Sequence, residues 1–188
     1  MNISLRALAV AAMLSVTALS GAFAQDNPEV GGAAMFADKN IIENAVNSAD
    51  HTTLVAAVQA AGLVETLSGE GPFTVLAPVN AAFDALPAGT VDTLLKPENK
   101  EMLSTILACH VIPAKALSTD IMGMVEADGG EHVVDTVGGC KLTLKAADGK
   151  VTVTDENGAV ANVTIADVIQ SNGVIHVIDA VLTPKSAM

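Results

Sequence analysis

The chain has 188 residues and a formal net charge of −12, from 21 acidic and nine basic residues. So few Lys and Arg residues argue against a nucleic-acid partner, whose phosphates require basic clusters, and against docking on anionic lipid. Aromatic residues make up only 2% of the chain, with no Trp or Tyr, so it lacks the flat rings that sugar-binding proteins stack on carbohydrate.

Residues 1–24 have the features of a secretory signal peptide. Arg6 is the basic region, ALAVAAMLSVTALSG is the apolar region, and AFA at 22–24 is a small-residue cleavage site. The apolar stretch is about the minimum length for a membrane span, but Ser, Thr and Gly interrupt it. We therefore expect export to the periplasm, the cell surface or the medium, without membrane insertion after cleavage. Residues 25–34, rich in Gly and polar residues, are expected to form a flexible leader.

The segment after this leader has mainly helical spacing. In HTTLVAAVQAAG the apolar residues recur every three or four positions, with Asp50 as the expected N-cap and Gly62 as the expected stop. PFTVLAP follows as a short strand bounded by prolines. Asn80 is expected to cap the next short helix, AAFDALP. Two more helices are predicted at TVDTLLK and PENKEMLSTILA.

After Cys109 the spacing changes from helical to alternating. Five alternating stretches are separated by Gly-Gly, Asp-Gly, Asn-Gly and Ser-Asn-Gly, which are typical of tight turns: EHVVDTV, CKLTLKA, KVTVTD, AVANVTI and GVIHVIDAVL. Helices followed by an antiparallel meander predict the α+β class. The length suits a single domain, over residues 35–185.

The two cysteines, Cys109 and Cys140, are expected to form a disulfide, because an even number in an exported chain favours a bridge. Free buried thiols are the alternative, and a reactive thiol is a third possibility. A catalytic pair of Cys109 and His110 is not expected, since adjacent side chains of an extended chain diverge.

The stretch SNGVIHVIDAVLTP contains two polar residues, His176 and Asp179, that could form a catalytic or metal-binding pair. Side chains alternate across a strand, so residues three apart lie on opposite faces and cannot meet. We expect each to be satisfied separately, because an unpaired buried polar group costs about 1–3 kcal/mol. The acidic tip Asp155-Glu156-Asn157-Gly158 is interpreted as a solvated turn.

Other catalytic and cofactor patterns are missing from the sequence. The four histidines show neither H-x-H nor H-E-x-x-H spacing, no G-x-S-x-G nucleophile motif occurs, and there is no Gly-rich phosphate loop. The sequence therefore predicts no catalytic residue, no cofactor and no metal site.

Two segments together resemble the signature boxes of the fasciclin-like domain family, namely GPFTVLAPVNAAFDALP (71–87) and NGVIHVIDAVLTP (172–184). Between them, ILACHVIPAKALSTDI resembles the family's Tyr-His segment and ADVIQSNG its Asp-Ile segment. The resemblance covers about residues 35–184 and is to the secreted, single-domain bacterial members. It implies an antiparallel β-sandwich or wedge flanked by several short α-helices, used as an extracellular adhesion or recognition module and not as an enzyme.

The resemblance also implies roles for individual residues. Asn80 would cap the helix after the first box, His176 and Asp179 would tie the second box to its neighbours, and the structural signature as a whole comprises Thr74, Pro78, Asn80, Phe83, His176 and Asp179. Partner binding is implied at His110, Asp167 and Val168, which match the Tyr-His and Asp-Ile motifs associated with integrin binding in animal members.

The identity of the partner does not follow from these motifs. Cys109 stands where the family has Tyr, and the loss of this aromatic anchor argues against an integrin. We expect a protein or surface partner. The alternative is a carrier of a small apolar ligand or lipid in the cell envelope, because a Val/Leu/Ala core could line an apolar cleft. An exported hydrolase or metalloenzyme is the third possibility.

Overall fold

The computed structural model describes residues 27–185. The predicted signal peptide and the first two residues of the predicted leader lie outside the described residues. Within residues 27–185, no helix has the length and apolarity that crossing a membrane requires.

The helices of the described residues are short. Seven α-helices occur: α1 (Ile41–Ala45), α2 (Thr52–Ala61), α3 (Val64–Ser68), α4 (Asn80–Asp84), α5 (Thr90–Leu94), α6 (Lys100–Ala108) and α7 (Ser118–Ala127). Two 3₁₀ turns, Ala49–His51 and Pro97–Asn99, directly precede α2 and α6. As predicted, α2 stops at Gly62, which has the left-handed φ of 76° that glycine tolerates best.

In the described part of the chain, seven strands form one sheet in the order β2-β1-β7-β6-β5-β4-β3. Their bounds are β1 (Phe73–Pro78), β2 (Val111–Ile112), β3 (Glu131–Asp135), β4 (Lys141–Ala147), β5 (Lys150–Thr154), β6 (Val160–Gln170) and β7 (Gly173–Ile178). This mixed arrangement of helices and a wedge-shaped sheet confirms the predicted α+β class.

One pairing in the sheet departs from an antiparallel meander. β1 and β7 run parallel, in register from Phe73 opposite Gly173 to Pro78 opposite Ile178. These strands belong to the two sequence boxes, which therefore lie side by side although the rest of the domain separates them in the chain. Such parallel pairs are buried on both faces, and all six residues of β7 are buried.

The eleven-residue strand β6 joins the two halves of the sheet. Its first residues pair with β5, with Asn162 opposite Thr152, and its last pair with β7, with Gln170 opposite Gly173. The register shifts twice between Val163 and Val168. Such irregularities bend and twist a strand, which allows β6 to pass from one half to the other.

Two apolar clusters form the core. The larger one packs residues of α2 and α6, such as Leu54 and Leu107, against Val75 and Ile175 of β1 and β7. The smaller one packs residues of α7 against Leu142, Leu144, Val151 and Val153 of β4 and β5.

The helix α7 was not predicted, because the chain after Cys109 was interpreted as strands throughout. Ile121 and Val125, four residues apart, are buried on its inner side and fit a helical pattern. The helix is short and contains Gly123, which lowers its intrinsic helix propensity. Packing over β4 and β5 stabilises it in the folded domain.

Residues 27–34, which we expected to form a flexible leader, make defined contacts with the domain in this structure. The Asn27 side chain donates to the Ile169 carbonyl (2.6 Å) and accepts from the Ile169 N–H (2.9 Å). It therefore bonds to both backbone groups of this β6 residue. Val30 is buried in the larger cluster. Gly31, with a φ of 59°, lies so close to Ser48 that a Cβ atom would overlap its hydroxyl. The glycine therefore permits close packing, whereas the sequence analysis interpreted it as a sign of flexibility.

The structure contains the predicted disulfide between Cys109 and Cys140. Cys109 follows α6 and Cys140 ends the β3–β4 turn, and both are buried. Two backbone hydrogen bonds hold the same turn, from Gly138 to the Ala108 carbonyl (3.0 Å) and from Val137 to the Val111 carbonyl (2.8 Å). The bridge therefore fastens the β3–β4 turn to the end of α6 and to β2.

Replacing both cysteines with alanine is expected to lower the free energy of unfolding by about 3–4 kcal/mol, because the bridge restricts a loop of roughly 30 residues in the unfolded chain. Urea unfolding of the wild type and of the Cys109→Ala/Cys140→Ala variant measures this difference. Reduced wild-type protein is the control and should match the variant. An unchanged urea midpoint in both would contradict the stabilising role.

Candidate functional site

His176, in the middle of β7, connects three parts of the chain. Its Nδ1 accepts a hydrogen bond from the Asp167 N–H (3.2 Å), so its Nε2 carries the proton and donates to the Ala116 carbonyl (2.9 Å). Burial lowers the pKa of His176 below its ordinary value, an effect that the Ala116 carbonyl and the Asp167 carboxylate only partly oppose. The ring therefore acts as a neutral cross-link between β7, β6 and the segment before α7.

Asp167 lies where the register of β6 shifts, and its φ of 60° is in the left-handed region. Its carboxylate accepts hydrogen bonds from the Ser118 backbone N–H (2.7 Å) and from the Ser118 hydroxyl. Ser118 is the first residue of α7, so Asp167 supplies a negative charge and an acceptor to a helix N-terminus. The carboxylate that was predicted to bind a partner is engaged in holding α7.

His110 connects α6 to the segment after β7. Its Nδ1–H donates to the Ile106 carbonyl (2.8 Å), and its Nε2 accepts from the Leu182 N–H (2.9 Å), which is the tautomer opposite to that of His176. Burial is the main cause that lowers the pKa of His110 to about 4. Like His176, it is a neutral ring with both nitrogens bonded to the backbone.

The predicted partner contacts at His110 and Val168 do not fit this structure, because both side chains are buried. The Tyr-His and Asp-Ile comparison located these positions in the sequence but could not show which way they point. Of the three predicted partner-binding residues, Asp167 alone is partly exposed, and its carboxylate is bonded to Ser118.

Asp179 follows the end of β7 and is exposed. Its carboxylate accepts from the Asn162 backbone N–H (2.7 Å) and from the Asn162 side-chain amide (2.8 Å). It thus ties the end of the second box to the start of β6. His176 and Asp179 have separate partners and do not form a catalytic dyad in this structure.

Asn80 does not cap the helix that it begins, contrary to the prediction. The N-cap of α4 is Val79, with no side-chain hydrogen bond. The Asn80 amide oxygen instead accepts from the Thr53 N–H (3.0 Å), and its NH₂ donates to the Ala49 carbonyl (2.9 Å). Asn80 therefore caps α2, where Asp50 was predicted to do so.

The other signature residues also hold the two boxes in place. The Thr74 hydroxyl donates to the Ala114 carbonyl and accepts from the Ala116 N–H at 2.9 Å, which fixes the segment after β2. Pro78 ends β1 opposite Ile178, and Phe83 is buried in the larger apolar cluster.

In the acidic tip before β6, Glu156 and Gly158 are exposed, as a solvated turn requires, but Asp155 is buried. Its carboxylate accepts from the backbone N–H groups of Asn157, Ala159 and Thr183, each at 2.9 Å. It therefore ties the β5–β6 turn to the segment after β7.

Across residues 27–185 the buried polar side chains all have hydrogen-bond partners, and no group of three His, Cys, Asp or Glu side chains could hold a metal ion. The polar residues that the sequence singled out thus hold separate segments of the fold together. Contact with a partner must use surface groups.

The outer side of β3 to β6 forms a regular surface, which we term the open face. One row of paired residues crosses all four strands: Val133, Thr143, Thr154 and Val160. Val133 and Val160 are 53% and 52% exposed, although valine side chains are ordinarily buried. Charged cross-strand pairs flank the row, Lys145 with Glu131 (3.1 Å) and Lys141 with Asp135 (3.9 Å).

The open face was not predicted, although the sequence contains a signal for it. Leu142 and Leu144 in β4, and Val151 and Val153 in β5, are the inward residues, so the residues between them face outward. The positions of Val133 and Val160 on that outer side depend on the strand register, which the alternation alone did not fix.

Several known proteins are similar in sequence to this chain. The fasciclin domain family model matches residues 49–184. Protein sll1483 of Synechocystis sp. is 50% identical over 155 residues, which cover 82% of this chain and 79% of that protein. Transforming growth factor-beta-induced protein ig-h3 of Sus scrofa is 40% identical over 133 residues, covering 71% of this chain but only 17% of the relative.

A solved structure, of a FAS1 domain pair from the insect cell adhesion molecule fasciclin I, shares the fold. It superposes with a TM-score of 0.69 at 17% identity, covering 79% of this chain and 52% of the insect chain.

Substituting Asn80 with alanine is expected to destabilise the protein by about 1 kcal/mol, the usual cost of losing an N-cap. Because Asn80 caps α2, hydrogen exchange should accelerate at Thr53 more than in α4. Asp84→Ala, an exposed change within α4, is the matched control. Faster exchange confined to α4 would contradict the assignment to α2.

The buried histidines predict that stability falls as the pH decreases below about 6.5. Burial lowers the pKa of His51, His110 and His176, so the unfolded rings bind protons at a higher pH than the folded rings do. Their contribution to stability is complete above the unfolded pKa and is lost as the pH falls towards the folded values.

Two measurements check this pH dependence. Urea unfolding should give a decreasing free energy of unfolding from pH 7 to pH 4. NMR titration of the ring protons should show no protonation of His110 until the pH approaches about 4. A His110 midpoint near 6.5 would contradict the proposed neutral cross-link.

Proposed function

The chain belongs to the fasciclin domain family, and from this premise we propose that it is an exported, non-enzymatic recognition module that attaches a cell or its envelope to a protein on another surface. The proposed module is a single domain over residues 35–185. The description of fasciclin I as an insect cell adhesion molecule supports the proposal by analogy of fold. The predicted signal peptide supports export.

The observation that carries the proposal is the composition of the open face. Its central row is apolar or hydroxyl-bearing, and its two flanks are charged pairs. Stable protein interfaces have this arrangement, with an apolar centre surrounded by a polar rim. Val133 and Val160 are the exposed apolar groups that a partner would desolvate.

The charges of the open face favour a protein over other partners. Lys145 and Lys141 are paired with Glu131 and Asp135, so the face carries both signs at its rim. A nucleic acid or an anionic membrane would require an excess of positive charge. A protein surface with interspersed charges can match both signs and set the orientation of the complex.

The hydrogen bonds of the polar residues inside the domain also support this proposal. Asp167, His110 and His176 are engaged in bonds that hold the domain together, so recognition at these residues would require breaking them. On the open face, the exposed side chains of Val133 and Val160 form no hydrogen bonds, and a partner can contact them while the scaffold stays unchanged.

A second candidate function, carriage of a small apolar molecule, is favoured by an apolar cavity between the helices and the sheet. This cavity lies in a different part of the molecule from the open face.

The proposal is tested with a deletion strain that is complemented with variants and scored for attachment to surfaces and host cells. Val133→Lys/Val160→Lys places two unmatched charges in the centre of the open face, and attachment should fall to the level of the deletion strain. Val46→Lys/Met102→Lys is the control, because both residues are exposed to a similar degree but lie on the helical side. The control should attach like the wild type.

The purified variants should retain the melting temperature of the wild type within a few degrees, because exposed substitutions cost little stability. Equal attachment of parent and deletion strains on every surface would refute the adhesion proposal. Loss of attachment in the control variant, with none in the open-face variant, would assign recognition to the helical side.

A further inference from the structure

An apolar cavity of about 70 Å³ lies between the first three helices and the sheet. Its buried walls come from all three helices and from the two paired central strands: Ile41, Leu54, Val58, Leu67, Val75 and Ile175. One water requires roughly 10–15 Å³ of cavity volume, so the cavity could accommodate about five waters. None of its lining residues comes from β3, β4 or β5, so it is separate from the open face.

The cavity offers no free hydrogen-bonding group from its buried walls. Ser48 and His51 are bonded to each other at 2.8 Å, and His51 is also bonded to the Ala77 carbonyl at 3.4 Å. Both nitrogens of His110 are occupied by backbone groups. A buried water needs two to four polar partners, so water is a poor occupant of this cavity and hydrocarbon is a good one.

The lining is mainly aliphatic and contains no Phe, Tyr or Trp ring, and its polar members are Ser48, His51, Gln59 and His110. Aromatic ligands gain part of their affinity from stacking on rings, and this gain is not available here. Leu, Ile and Val walls instead match a flexible aliphatic chain.

The mouth of the cavity lies between the three helices. Ile42 of α1, Val55 of α2 and Val64 of α3 line the cavity and are half-buried, and Gln59 of α2 is exposed beside them. A chain that enters here would keep its head group in water at the helix surfaces.

The charges around the mouth restrict the head group. The exposed carboxylates Glu43 and Glu65 directly follow Ile42 and Val64 in the chain. The mature protein is also strongly acidic overall. A ligand carboxylate would therefore be repelled, and an uncharged head group would not.

We propose that this cavity binds the aliphatic chain of a small molecule with a single chain and an uncharged head group. The probes for its test are 1-butanol, 1-hexanol and 1-octanol, titrated into methyl-labelled protein and followed by NMR shifts of Leu54 and Val58. Each added methylene that enters the cavity should lower Kd about fourfold. Equal Kd values for the three alcohols, or no shifts at these methyl groups, would overturn the proposal.

Two neighbouring residues of the first helical segment provide a matched pair of variants. Ala45 lines the cavity, whereas Val46 is exposed and does not. Ala45→Phe fills the space and should weaken octanol binding at least tenfold, while Val46→Phe should bind like the wild type. If Ala45→Phe does not fold, Val64→Phe blocks the mouth from a half-buried position. Equal binding by a folded cavity variant and Val46→Phe would overturn the assigned site.

Two further ligands test the chemistry of the head group and the number of chains. Octanoate at pH 7.5 should bind more weakly than 1-octanol, and equal affinity would overturn the uncharged head group. Dioctanoyl phosphatidylcholine should bind no better than 1-octanol. If this phospholipid binds and the alcohol does not, the assignment to a single-chain molecule is wrong.

Discussion

The parallel pairing of β1 with β7 is the constraint on which the rest of the structure depends. The two strands join the sequence boxes in register, from Phe73 with Gly173 to Pro78 with Ile178. With all six residues of β7 buried, each polar group there must find a partner inside the protein. His176 meets this requirement by remaining neutral and bonding to two backbone groups, one before α7 and one in β6.

Under this constraint, the residues that stabilise the fold differ from those that we propose for recognition. The three buried histidines, Asp155, Asp167 and Asn80 each connect segments that are distant in sequence. These residues fix the interior, and the binding places that we propose, the outer side of β3 to β6 and the mouth between α1, α2 and α3, do not depend on them. A scaffold of this kind can change its partners by exchanging a few surface residues.

Local sequence patterns predicted local features well. The tight turns, the stop of α2 at Gly62, the disulfide and the α+β class all follow from short-range signals.

The errors concern contacts between distant segments. Asn80 has the chemistry of an N-cap, but the helix that it caps is set by how α4 packs against α2. His110 and Val168 occupy recognisable motif positions, yet their burial depends on α6 and β7, which no local pattern reveals. Gly31 signals flexibility in isolation and close packing in the folded chain.

The position of β7 also determines the order in which the domain can be completed. β7 is the last strand to leave the ribosome, yet it occupies an interior place in the sheet, between β1 and β6. During synthesis, the other six strands therefore emerge before β7, the strand that joins β1 to β6. The contacts of β1 with β7 span most of the domain, and such non-local contacts slow folding. The sheet can close only after β7 has left the ribosome, so β1 and β6 lack their shared neighbour until then. Such late closure would suit the export that we propose, because a chain must be unfolded to be threaded through a membrane.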